Sequence, residues 1–227
     1  MSITIRNEKS KKIAIILCGS GFKDGSEIRE SVGVLWALSR HDVKVDCFAL
    51  DAPQYDVVNC LTGESVQEQR NQIVESARIA RGKVQKLSEL DCSQYDALII
   101  PGGFGAAKNL CDFALKGAAG TPHPLVQEKL QSFSKDSKPI GAVCIAPAIL
   151  ALTFRNKALE LTVGAPSEAS AEIEKLGHRH VVTEADACCI DNKFNVITTP
   201  AYMYDEAPLC DIFEGIRKLV DEVVKRA

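Results

Sequence analysis

Lys138-Pro139-Ile140-Gly141-Ala142-Val143-Cys144-Ile145-Ala146-Pro147-Ala148 decides the fold. The apolar run before Cys144 reads as a buried strand, and the residues after it read as a helix opened by a proline. A strand that passes straight into a helix is the joint of a parallel α/β sheet. A cysteine at that joint has its sulfur aimed at the helix N-terminus, where unpaired N–H groups and the helix dipole favour a thiolate. Cys144 is therefore the candidate nucleophile.

Outward from this joint, buried strands alternate with helices, the pattern of a mostly parallel sheet covered on both faces. Lys12 to Leu17 and Val43 to Leu50 read as the first two strands. Between them Asp24 is placed to cap a helix with Glu27 three residues on, and Val32, Leu35, Trp36 and Ser39 carry the helical spacing to about Arg40. Residues 51–91 form a connection longer than usual, with a helical stretch from Val66 to Arg81, and read as an insertion packed beside the sheet. Tyr95 to Pro101 is the third strand, and Pro124 opens a helix to Phe133. Cys144 ends the fourth. Beyond it come a short strand from Glu160 to Gly164 and a helix from Glu168 to Leu176 closed by Gly177. Ala187 to Thr199 reads as a hairpin around Asp191-Asn192-Lys193, followed by an amphipathic helix from about Ala207 to Val224 with Ile212, Ile216, Leu219 and Val223 inward. The whole, 1–227, reads as a single domain carrying the 51–91 insertion.

Composition narrows the function classes. With 227 residues, 46% hydrophobic and 25% charged side chains, the chain can bury its own core. A formal net charge of −3 with interspersed lysines and arginines gives no basic stripe, which argues against nucleic acid. No apolar run approaches the roughly 20 residues that span a bilayer. Met1 to Lys12 reads as a short polar leader and the chain as cytoplasmic. Among the nine cysteines there is no CxxC spacing, so reduced thiols are expected and no metal. Neighbouring strand residues face opposite sides, which sets Cys188 and Cys189 apart.

In an open parallel sheet, ligands sit beyond the carboxyl ends of the strands. Three unusual loops fall there: Gly19-Ser20-Gly21-Phe22-Lys23-Asp24-Gly25-Ser26, Pro101-Gly102-Gly103-Phe104-Gly105, and the turn at Cys144. Their glycines let backbone N–H groups approach a ligand. Neither the P-loop nor the dinucleotide fingerprint is complete.

Asp24-Gly25-Ser26-Glu27-Ile28-Arg29-Glu30-Ser31, Pro101 to Leu110, Cys144-Ile145-Ala146-Pro147-Ala148 and Thr198-Thr199-Pro200-Ala201-Tyr202-Met203 together resemble the ThiJ/PfpI superfamily. That group has a flavodoxin-like fold, a three-layer α/β sandwich related to class I glutamine amidotransferases. Leu61-Thr62-Gly63-Glu64 and Glu75 to Gly82 in the insertion are similar to its ElbB branch, the enhancing-lycopene-biosynthesis or sigma cross-reacting proteins.

The resemblance implies that Cys144 is the elbow nucleophile and Glu30 the carboxyl bonded to it. Gly103 and Ile145 supply oxyanion-type N–H donors, with Gly102 beside them. Glu30 lies among Gly33, Val34 and Ala37 on the apolar face of its helix, and burial raises a carboxyl pKa and lets it relay a proton. One departure stands out. Many relatives have a histidine near the cysteine where this sequence has Gly164, and His123, His178 and His180 lie elsewhere. Arg78 and Arg81 of the insertion read as partners of Glu75.

A thiol, a proton-relaying carboxyl and N–H donors suit addition to a small electrophilic carbonyl. The leading expectation is a glyoxalase needing no cofactor, an activity attributed to the ElbB branch, which turns glyoxal into glycolate. The alternatives are a redox sensor or partner-binding protein with Cys144 as its reactive thiol, and an amidotransferase-like domain in isoprenoid metabolism. The expected partners are a small carbonyl compound and a second copy of the chain, as a homodimer.

Overall fold

Nine strands and eight helices can be followed along residues 10–227 of the computed structural model, the part of the chain it describes. The strands are β1 (Lys11–Leu17), β2 (Val43–Ala49), β3 (Val84–Lys86), β4 (Ala97–Ile100), β5 (Ile140–Val143), β6 (Glu160–Leu161), β7 (Arg179–His180), β8 (Cys189–Asp191) and β9 (Val196–Thr199). The helices are α1 (Ile28–Leu38), α2 (Gln72–Ile79), α3 (Phe104–Lys108), α4 (Phe113–Lys116), α5 (Pro124–Lys135), α6 (Pro147–Thr153), α7 (Glu168–Lys175) and α8 (Leu209–Arg226). Residues 1–9 of the expected polar leader lie outside the described part.

Seven strands make one sheet in the order β3-β2-β1-β4-β5-β9-β8, parallel except for the β8–β9 pair. Strand residues alternate between two cores because successive side chains point to opposite faces. Ile13, Ile15 and Leu17 pack with Val34 and Leu38 of α1 and Ile212, Ile216 and Leu219 of α8. Ala14 and Ile16 pack on the other face with Leu130 and Phe133 of α5 and Ile149 of α6. Both faces are dry, which is why these strands read as unbroken apolar runs. The result is the flavodoxin-like three-layer sandwich expected from the sequence.

Several boundaries differ for identifiable reasons. Asp24 does not cap α1. Glu27 does, accepting from the Glu30 N–H at 2.6 Å, while the Asp24 carboxylate accepts from Val58 N at 2.9 Å. Helix α1 also stops at Leu38, because Arg40 N and His41 N turn back to Ala37 O and Leu38 O. The stretch expected to be helical from Val66 is helical only from Gln72, where Asn71 accepts from Ile73 N and Val74 N. Before that cap the chain runs back along 52–58, with Gln54 N on Arg70 O and Val66 N on Val57 O. Residues 51–91 are not merely beside the sheet: they supply β3, parallel to β2, and α2, which leans on it. The Glu160 strand covers only Glu160–Leu161 and pairs with β7 in a separate two-stranded ribbon.

Candidate active site

Strands β1, β4, β5 and β9 are consecutive in the sheet, and the chain leaving each carboxyl end contributes to one cluster. From β5 comes Cys144, whose backbone N–H donates to Thr199 O at 2.9 Å. Its φ of 62° puts a side-chain-bearing residue in the left-handed region, the strained turn of a nucleophile elbow. Across from it stands Glu30, on the first turn of α1, fully buried.

Two backbone donors orient the Glu30 carboxyl. Gly102 N donates to Oε2 at 3.0 Å and Tyr202 N to Oε1 at 3.2 Å. Gly102 sits between the pair so closely that a methyl group there would lie 2.5 Å from Cys144 Cβ and 2.6 Å from Glu30 Oε2. Gly103 has φ 95° and presses on the start of α1: a methyl group there would meet Glu27 N and Gly25 O, each at 2.4 Å. Only glycine fits both places.

The electrostatics correct one expectation. The N–H groups of Gly103 and Ile145 face the Cys144 sulfur and draw its pKa down, but burial and the Glu30 carboxyl outweigh them. The thiol is therefore held well above its ordinary value and is not a resting thiolate. Burial, and then the charge of Glu27, push Glu30 up to about 8, against the bonds from Cys144, Tyr202 and Gly102. Near neutral pH the pair thus keeps its protons and shares them across one contact.

All five residues singled out from the sequence, Cys144, Glu30, Gly102, Gly103 and Ile145, meet here. Tyr202 was missed as a contact of Glu30, although it lies in a stretch that carried the resemblance. Glu27 was read only as half of a capping box. The histidines stand apart. His178 bonds Ala151 O at 2.9 Å and accepts from Leu159 N at 3.2 Å, His180 accepts from Val163 N, and His123 caps α5. At Gly164, φ 88°, a Cβ would come within 2.9 Å of the Tyr204 ring, so the tyrosine packs against this position. Arg78 pairs with Glu75 at 2.8 Å, as expected. Among the described residues no three metal-ligating side chains converge.

A model of the DJ-1/PfpI family matches residues 11–204, which include every residue of this cluster. The chain belongs to the DJ-1/PfpI family. It is 41% identical over 224 residues to the human glutamine amidotransferase-like class 1 domain-containing protein 3, mitochondrial, covering 94% of this chain and 82% of that one. To the rat ES1 protein homolog, mitochondrial, it is 40% identical over 224 residues, covering 94% and 83%. Among solved structures it is similar to an isoprenoid biosynthesis protein with amidotransferase-like domain from Ehrlichia chaffeensis. That structure superposes with a TM-score of 0.88 at 36% identity, covering 96% of this chain and 99% of the other.

Proposed function

We propose that this DJ-1/PfpI chain is a glyoxalase of the ElbB type that works without a cofactor on glyoxal and other small 2-oxoaldehydes. The observation that carries the reading is the contact of the buried Glu30 carboxyl with an elbow thiol, beside the N–H groups of Gly103 and Ile145. With Glu30 ionised, Cys144 Sγ adds to one aldehyde carbon while the thiol proton passes through the Glu30 carboxylate to the oxygen formed, which turns to the two N–H groups, and Glu30 is left ionised again. Glu30 then moves the carbon-bound proton of the hemithioacetal to the neighbouring carbon. This oxidises one carbon and reduces the other, leaving an S-glycolyl thioester. Water cleaves it to glycolate and the free thiol. Glyoxal and one water thus become glycolate and a proton, with no outside oxidant.

Two surface concavities, lined by residues such as Ser137, Asn195 and Phe194, lie away from Cys144. Glycolate release from glyoxal, followed by its loss in Cys144→Ala, is the direct test. The amidotransferase-like reading draws on the names of the human and Ehrlichia relatives, and is weakened by Gly164 at the position where many ThiJ/PfpI proteins carry a histidine. Glutamine hydrolysis by the isolated chain would favour it instead. The sensor reading suffers from a thiol that is buried and held protonated, since peroxide attacks exposed thiolates.

The same proposal includes a homodimer, to be weighed by sedimentation, and a reducing compartment. All nine cysteines are free, which suits the cytoplasm expected from the sequence. The human and rat relatives are named as mitochondrial proteins. No helix among the described residues is long and apolar enough to cross a membrane.

A further inference from the structure

Glu27 occupies a place that helix capping alone does not explain. Its Oε2 accepts from the Glu30 backbone N–H at 2.6 Å, and its own N–H donates to Gly102 O at 2.9 Å. Gly102 N in turn donates to Glu30 Oε2 at 3.0 Å. Glu27, Gly102 and Glu30 therefore close a ring of hydrogen bonds around the Cys144 contact. The two carboxyls have unequal surroundings. Burial pushes Glu27 up as well, but it is only half-buried, takes the Glu30 N–H and has Arg29 nearby, while Glu30 is fully buried with only N–H donors and a thiol. Of two neighbouring acids, the one with solvent and a cation takes the charge, and the other keeps the proton.

We propose that Glu27 is a positioning residue for the Cys144–Glu30 pair: its carboxylate fixes the Glu30 backbone against the Gly102 loop, and its negative charge keeps the proton on Glu30. The inference rests on the Cys144–Glu30 reading above. The groups facing Glu30 are Glu27 from the cap of its own helix, Cys144 from the elbow, and the backbone N–H groups of Tyr202 and Gly102. Arg29, also on α1, points away to the Tyr202 hydroxyl at 2.9 Å. With the Glu27 charge removed, the pair loses its first proton, that of Glu30, at lower pH, and Glu30 becomes a base for the Cys144 thiol earlier.

The test is the rate of Cys144 alkylation by iodoacetamide from about pH 5 to about pH 10, followed by mass spectrometry. It compares the unmodified chain with Glu27→Gln, which keeps an acceptor for the Glu30 N–H but loses the charge. Glu27→Asp, which keeps the charge, serves as control. The expected result is a midpoint about one pH unit lower in Glu27→Gln and unmoved in Glu27→Asp. Glyoxal turnover, measured on the same samples, should shift in the same direction. An unmoved or raised midpoint in Glu27→Gln overturns the proposal, and so does an alkylation rate that does not vary with pH. If the alkylation midpoint shifts but no chain releases glycolate, Glu27 retains its role and the glyoxalase reading falls.

Discussion

Glu30 links structure to chemistry most directly. Its pKa near 8 gives the sign of the pH dependence: a group that must accept the thiol proton is competent only when ionised. Turnover should rise as pH increases through about 8, and Glu30→Gln should lose that limb along with about 100-fold or more of the rate, read from initial velocities. Gly102 is the neighbour with least freedom. Gly102→Ala forces a methyl group against Cys144 Cβ, Glu30 Oε2 and Val143 O, all within 2.8 Å. It should cost about 1–3 kcal/mol in urea unfolding and remove turnover even where the chain still folds. The elbow cysteine was legible from residue type and its place at a strand-to-helix joint, whereas Glu30 and the N–H donors Gly103 and Ile145 came from the resemblance to the ThiJ/PfpI superfamily. The protonation of the pair was not. It depends on complete burial and on the nearby Glu27 charge, which no spacing along the chain reveals.

At the level of elements, α8 seals the sheet face that carries α1. Ile212, Ile216, Leu219 and Val223 are wholly buried there, on the stripe read from the sequence. Ile216 also fills the gap opposite Gly33 of α1, so Ile216→Ala should cost about 2 to 5 kcal/mol by denaturant titration. The strong periodicity of α8 made it legible, as did the apolar runs of β1 and β4. Residues 51–91 were harder to read. β3 has only three residues, two of them the polar Gln85 and Lys86, too short for an alternation to register. The pattern from Val66 to Arg81 overstated the helix because its first part pairs with 52–58 instead. Asp24 holds that folded-back segment through Val58 N. Asp24→Ala should therefore speed amide exchange at Val58 well before exchange in β1 changes.

Over the whole molecule, the buried carboxyl carries a stability cost that depends on pH. Glu30 ionises near 4.5 in the unfolded chain and near 8 in the folded one, so the folded state binds the extra proton between those values. Its contribution is complete below about 4.5, falls as pH rises towards about 8, and levels off above it. Compared at each pH, the melting temperature of Glu30→Gln should gain on that of the unmodified chain across this window. No gain would mean that Glu30 is not held protonated. The nine free thiols lead to a second expectation, that reductant leaves the melting temperature unchanged. Exposed Cys60 and Cys210 should react with thiol reagents before Cys144. The measurement that bears most directly on the account is glycolate release from glyoxal as a function of pH, for the unmodified chain beside Cys144→Ala and Glu30→Gln. The expected result is a rate that rises through about pH 8 in the unmodified chain and is lost in both variants. Glycolate formed by purified Cys144→Ala, or none formed by the unmodified chain at any pH, would contradict it.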